Sequence, residues 1–364
     1  MPPDNSLLQS PLHEEHRRLG GRLVNFAGWQ MPVQYTGILE EHRAVRNGCG
    51  VFDISHMGQV FICGEKAAGW LNEMLTGNIP AMGESTALYT LMLNENGGVI
   101  DDLIAYRIGQ DSFLLVINAS MAEEDVAWLN CHLDTGIMLE NHSSAFAAIA
   151  VQGPNARELA SEMLAGAGCG MPARNTLVQF RGPSGNTYLC GTGYTGEPGF
   201  ELLCPVEDGI HWFNRALTAG AVPCGLGARD SLRLEMGFPL NGADLSPERT
   251  PLAAGLGFFV DLEKKSFVGK ASLLEEKQNG IREKLTAVEM CGKGPPPRPG
   301  YALKAGNKTV GQFCSAGLSP SLGRGIGLAY LPDALSRIDT SLEIDIRGRG
   351  FPARVVKKPF YRNQ

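Results

Sequence analysis

Two adjacent carboxylates, Asp101 and Asp102, interrupt an apolar run, NENGGVIDDLIAYR, at residues 94–107. Asn96-Gly97-Gly98 is a turn signal, and the residues after it read as a strand. A period of two puts Ile100, Asp102, Ile104 and Tyr106 on one face, and Asp101, Leu103 and Ala105 on the other. An ionised carboxylate is costly to bury unpaired, so one of the two should face a polar pocket or a ligand. Asp102 has the larger apolar neighbours on its face. That makes it the better candidate for a desolvated, functional acid. The plainer reading, in which both aspartates cap turns or pair with arginines, stays open on these grounds.

GTGYTG at 191–196 matches the spacing GxGxxG, but a dinucleotide site needs a strand before it and a helix after it. Glu197-Pro198-Gly199 and the strand-like GFELL do not supply that helix, so a hairpin loop is expected. Tyr194 and Glu201 flank the loop. An aromatic ring and an acceptor-only carboxylate suit a flat heterocycle with N–H donors, although surface hairpins carry such residues too. Arg229 and Arg233 in LGARDSLRLEMG are four apart, on one helical face. A guanidinium fork fits a carboxylate or an amide-like ring edge, and an internal ion-pair network is compatible with that. Arg354, Lys357, Lys358 and Arg362 make the C-terminus basic, which suits an anionic ligand tail, an acidic partner or a solvated tail. His13-Glu14-Glu15-His16 lacks the HExxH spacing. His56 stands alone and reads as a satisfied structural histidine, so no metal is expected. Neither GxSxG nor a Walker A sequence is present.

These residues must be held by an α+β framework. Residues 65–76, 121–133, 155–164 and 207–217 read as helices, the second with Ser120 as cap and Glu123 closing a capping box. VIDDLIAYR and SFLLVIN flank one turn and NTYLCGTGY and GFELLCP another, as antiparallel hairpins. GKGPPPRPG at 292–300 reads as a linker, and 281–364 as a small antiparallel β domain, a barrel. A chain of 364 residues is too long for one simple core. With 43% hydrophobic and 19% charged residues it is globular. Its net charge of -6 argues against nucleic-acid binding. Nine scattered cysteines without a CxxC fit reduced thiols in a cytosol. The N-terminus shows neither a signal nor a transit peptide, and no run approaches a membrane span.

Taken together, these stretches resemble the T-protein family of the glycine cleavage system, tetrahydrofolate-dependent aminomethyltransferases. The resemblance is carried by NFAGWQMPVQY (25–35), GVFDISHMG (50–58), NENGGVIDDLI (94–104) and AVQGPNA (150–156). It continues through TGYTGEPGFE (192–201), CGLGARDSLRLE (224–235), FVGKASL (267–273) and KKPFYR (357–362), collinear over nearly the whole chain. It implies a three-domain cloverleaf around a central folate cavity. Residues 1–55 with 145–248 would form the first domain, 56–144 with 249–280 the second, and 281–364 the barrel. It also implies a lipoylated H-protein as partner and tetrahydrofolate as cosubstrate, with no metal or flavin in this chain, acting in a bacterial cytoplasm. By the same resemblance Asp102 would orient the reacting folate nitrogen. Tyr89 and Tyr194 would line the pterin pocket, with Glu201 taking its N–H groups. Arg229 would lie near the folate and its glutamyl side, Tyr106 and Asn118 would contribute, and Arg362 would stand at the cavity mouth.

The chain departs from the family pattern at CSAGLSP (314–320), where Ala316 replaces a common glycine, at Phe258 for tryptophan and at Phe238 for tyrosine. The other reading is the folate-binding subunit of a sarcosine- or dimethylglycine-oxidising system, whose flavin would need a separate chain. A folate-binding relative of iron–sulfur cluster assembly would carry a cysteine motif where TGYTGEPGFE stands here.

Overall fold

The apolar run FAAIAVQ, Phe146–Gln152, forms an inner strand of a six-stranded sheet in a computed structural model that describes residues 7–362. The order is Leu177–Arg181, Asn186–Cys190, Gly199–Pro205, Phe146–Gln152, Gly50–Asp53 and Val222–Pro223. Neighbours are antiparallel except the last pair, which is parallel. Strand alternation gives the sheet two different faces. Ala147, Ile149 and Val151 lie beside Cys204, Leu202 and Phe200, and all six enter one core. Helices Ala156–Met163 and Gly209–Thr218 close that core with Leu159, Met163, Trp212 and Phe213. Fully buried aromatics such as Phe200 and Phe213 are worth roughly 3–5 kcal/mol each on truncation to alanine. The opposite face sets Glu201 between Ala150 and Cys190.

A second sheet has the order Ala87–Leu93, Val99–Gly109, Ser112–Ile117, Gly58–Cys63 and Met138–Asn141. The expected hairpin is present, with Tyr106 opposite Leu114. The turn before it is held by Asn94, whose Oδ1 accepts from the backbone N–H groups of Asn96 and Gly98 at 3.0 and 2.9 Å. The helix Ala122–Cys131 follows a short 3-10 turn, Ala119–Met121. The turn takes up Ser120, so Met121 is the cap residue and the expected capping box does not form. Glu123, Glu124 and Asp125 in the first helical turn complement the positive helix end instead.

The six strands Glu283–Met290, Arg324–Pro332, Lys308–Ser319, Ala302–Ala305, Ser341–Ile346 and Arg349–Val356 form a closed antiparallel barrel. Val288, Leu303, Phe313, Leu331, Ile344 and Val355 fill it. GKGPPPRPG joins the first two barrel strands in sequence, Glu283–Met290 and Ala302–Ala305, rather than linking domains. Closure explains this: the strand before the prolines pairs with Arg324–Pro332 on one side and Arg349–Val356 on the other.

By internal contacts the chain divides into two compact units. One runs to Asn72 and includes Asn78–Tyr89 and Leu103–Arg229. The other comprises Glu73–Gly77, Thr90–Asp102 and the chain from Asp230 onward.

Candidate active site

Glu201 is the focus of the first unit. Its small neighbours Ala150 and Cys190 leave room around the carboxylate, yet the residue is only 8% exposed. Oε2 accepts from Thr192 Oγ1 at 2.5 Å, and Thr192 Oγ1 lies 2.8 Å from the Tyr106 hydroxyl. Among the described residues the Glu201 side chain accepts no other hydrogen bond, so Oε1 is open. Burial pushes the Glu201 carboxyl above its ordinary range, while the Thr192 hydrogen bond and the Arg229 charge pull it back.

The Arg229 guanidinium stacks over the Tyr194 ring, 4.9 Å from the centroid. Burial lowers its pKa, opposed by the negative charge of Glu201 and by Tyr194. His56 lies within the field of Arg229, and burial with that charge holds its imidazole at about 4, so it is neutral at pH 7. Phe26 meets the ring edge-on at 5.5 Å. The histidine is buried, as a structural residue would be, but it is not satisfied: Nδ1 has no hydrogen-bond partner among the described residues. The Phe26 ring offers no acceptor, and of the two charges that act on His56, Arg229 is a cation and the Asp53 carboxylate is taken up by Ser10, His16 and Ser55.

The segment 191–198 is a hairpin loop between Asn186–Cys190 and Gly199–Pro205, with a strand after it where a dinucleotide site needs a helix. Gln152 supports it from beneath. Its Nε2 donates to the Thr192 carbonyl at 3.1 Å, and its Oε1 accepts from Thr195 Oγ1 at 2.9 Å. A Cβ at Gly193 would stand 2.0 Å from Gln152 Oε1, so only glycine lets the loop lie this close. Arg46, from the helix Ile38–Asn47, clamps the far end. Its Nη1 reaches the Thr195 carbonyl at 2.8 Å and Glu197 Oε1 at 2.7 Å. The two side chains are 4% and 1% exposed. Breaking one partner of such a buried pair costs roughly 3–5 kcal/mol.

Of the adjacent aspartates, Asp101 is the desolvated one. It is fully buried and accepts from Asn241 Nδ2, which also donates to the Ile100 carbonyl at 3.0 Å. Val99, Leu103 and Ala105 are buried with it, whereas Ile100, Asp102 and Ile104 are half-buried. The size of flanking side chains pointed to the wrong face, because covering of a face is decided by what packs on the strand. Asp102 therefore keeps partial access from the face opposite Asp101. Tyr106 is fully buried, Tyr89 and Asn118 are half-buried, and Arg362 is exposed. Arg233 goes into an ion-pair network with Asp230 at 2.7 Å and Asp244 at 2.9 Å, and donates to Ser315 at 2.9 Å. The basic C-terminus is packed as far as Tyr361. The Lys358 stem lies against Gly237, and the Phe360 and Tyr361 N–H groups donate to the Glu235 carbonyl at 2.8 and 3.1 Å. In the His-Glu-Glu-His stretch, His16 bonds Asp53 at 2.7 Å and Tyr35 at 2.8 Å. Phe258 is 94% exposed, while the Phe238 carbonyl accepts from Arg233 at 3.1 Å.

Two family models match the chain. GCVT N-terminal domain covers residues 12–264, and Glycine cleavage T-protein C-terminal barrel domain covers residues 284–362. The chain belongs to the glycine cleavage T-protein family. It is 41% identical to an aminomethyltransferase of Bacillus velezensis, covering 98% of each chain. It is 44% identical to one of Rubrobacter xylanophilus, covering 99% of this chain and 95% of the relative. The crystal structure of the glycine cleavage system aminomethyltransferase T from Bartonella henselae superposes with a TM-score of 0.91 at 32% identity, covering 98% of both chains. The motif resemblance is thus confirmed, together with the α+β class and the C-terminal barrel, and the chain is an aminomethyltransferase.

Four T-protein residues that shape this site escaped the sequence reading. Thr192 and Gln152 lie inside quoted motifs, TGYTGEPGFE and AVQGPNA, and a polar residue beside each glycine turn was the available signal. Arg46 and Glu197 meet across 151 residues, and no local pattern announces that pairing.

Proposed function

We propose that the chain transfers the methylene carbon of an aminomethyl group, carried on the lipoyl sulfur of H-protein, to tetrahydrofolate. The products are 5,10-methylenetetrahydrofolate, ammonia and dihydrolipoyl H-protein, formed in the bacterial cytoplasm. The balance is simple. Two folate N–H bonds give way to two C–N bonds with the same carbon, and the two hydrogens leave on ammonia and on the thiol.

The observation that carries this reading is the open Oε1 of a buried Glu201, beside the stacked Tyr194–Arg229 pair. An ionised carboxylate is acceptor-only, which fits a pterin edge rich in N–H donors. The Tyr194 ring and the half-buried Tyr89 suit the flat ring itself. Arg229 suits the carboxylate side of the folate, and exposed Arg362 an anionic tail or the acidic surface of the carrier. Asp102 would accept a hydrogen bond from the reacting nitrogen and take part in its proton transfer, without forming a covalent bond to the substrate. Asn118 and Tyr106 belong to the same proposal, as supporting residues. Much of the rate would come from holding two substrates in register.

Asp102→Asn tests the assignment. The expected outcome is a folded protein whose methylene transfer from aminomethylated H-protein falls by about 10²–10⁴-fold. Turnover within a few-fold of the parent would remove Asp102 from the chemistry. Sarcosine-dependent activity that needs no H-protein would replace the whole reading with that of a sarcosine-oxidising subunit.

A further inference from the structure

The hydrogen bonds around Glu201 have a direction. An ionised carboxylate can only accept, so the single hydroxyl hydrogen of Thr192 points at Oε2. Thr192 Oγ1 then has no hydrogen for Tyr106, and the 2.8 Å contact between them must be donated by the tyrosine. The chain is therefore ordered, from Tyr106 to Thr192 to Glu201. It uses the one hydroxyl hydrogen of Tyr106, which is fully buried and has none left for a ligand.

Resting on the folate reading above, we infer that Thr192 is a positioning residue of the pterin pocket: it holds one oxygen of Glu201 so that the other faces the ligand N–H groups, and Tyr106 acts by fixing Thr192. The geometry supports this independently of charge. Thr192 is tied at its carbonyl by Gln152, and its side chain is tied at Oγ1 on both sides, so the hydroxyl cannot swing away. Ala150 and Cys190 are too small to fix the carboxylate by packing.

The groups that face Glu201 are Thr192 in the loop, Cys190 on the paired strand, Tyr106 from the second sheet and Arg229; Tyr194 acts on Arg229, and His56 feels its charge. Of these, only Thr192 and Arg229 favour the ionised carboxylate. Removing the Thr192 hydroxyl must raise the pH at which Glu201 gives up its proton. Binding through an acceptor-only carboxylate then fails at a higher pH than in the parent.

The test uses Thr192→Val, Thr192→Ser and Tyr106→Phe in the full chain. Tetrahydrofolate affinity is measured anaerobically from pH 5 to 9, with a 13C-detected titration of the Glu201 carboxyl in the ligand-free protein. Thr192→Val is expected to weaken binding about tenfold at neutral pH, on the scale of one lost charge-assisted hydrogen bond. Its acid limb and the Glu201 titration should both move to higher pH. Thr192→Ser should restore both, and Tyr106→Phe should move them the same way by a smaller amount. If the parent binds but the Thr192→Val profile is weaker by one factor at every pH, with an unmoved Glu201 titration, Thr192 is only a packing residue. If the parent does not bind tetrahydrofolate at all, the folate reading itself falls.

Discussion

Glu41 and Glu201 are both buried glutamates, and their surroundings differ in one respect. Glu41 is wholly enclosed and accepts four backbone N–H groups. Tyr35, Thr36 and Gly37 donate to Oε1 at 2.6, 3.0 and 3.2 Å, and Gly225 donates to Oε2 at 2.8 Å. Glu201 accepts one hydroxyl and keeps an oxygen open. A carboxylate whose oxygens are both taken by the fold is a structural bracket. One that is desolvated yet half-used is unstable by itself and waits for a donor. The distinction lies in the count of donors, since burial is nearly the same for both.

The largest effect that could break this comparison is at the bracket. Glu41→Ala removes the acceptor of one buried N–H group, that of Gly225, and of three at part-buried positions, at about 1–3 kcal/mol for a group that stays dry. Stability is expected to fall by about 2–4 kcal/mol. Urea denaturation measures it, and a loss under about 1 kcal/mol would show that Glu41 is dispensable.

His56 sharpens the comparison from the basic side, as a buried polar group with one orphaned nitrogen. Burial and the Arg229 charge hold it at about 4, against an ordinary value of 6.5. Between those two values the unfolded chain binds a proton that the native chain does not, so stability falls as the pH drops through that window. The contribution approaches on the order of 3 kcal/mol by pH 4. His56→Gln should flatten that slope between pH 6.5 and 4.5, relative to the parent, in urea midpoints. Parallel curves for the two proteins would refute the assignment. The buried Asp53, whose carboxyl is held low by His16, Ser10 and Ser55 against the cost of burial, adds an acid loss of its own in both proteins.

The barrel, the hairpins and four helices were legible because each is written in local periodicity and turn chemistry. Glu201 and Tyr194 were legible as chemistry because a ring and an acid bracket a glycine loop. Asp102 shows the limit. Alternation separated it from Asp101 correctly, but which face is covered depends on Asn241, 140 residues away. Arg229 and Arg233 share a helical face in sequence, yet one stacks on Tyr194 and the other joins Asp244 and Ser315. Those partners come from strand and loop placement, which carries no local signal.

The smallest expected change in stability belongs to Glu201→Gln, and it is the most discriminating. The amide keeps the shape and removes a charge that burial disfavours. If Glu201 were a bracket like Glu41, the variant would lose stability. If it is ligand-ready, urea stability should stay within about 0.5 kcal/mol or rise, while tetrahydrofolate binding weakens by roughly 10–100-fold, the scale of a charge-assisted hydrogen bond. A glutamine there also presents an N–H₂ group that can oppose a pterin donor, so the binding loss follows from mismatch as well as from lost charge. A variant that is destabilised but still binds folate with the parent affinity would place Glu201 with Glu41 and leave the open oxygen without a function.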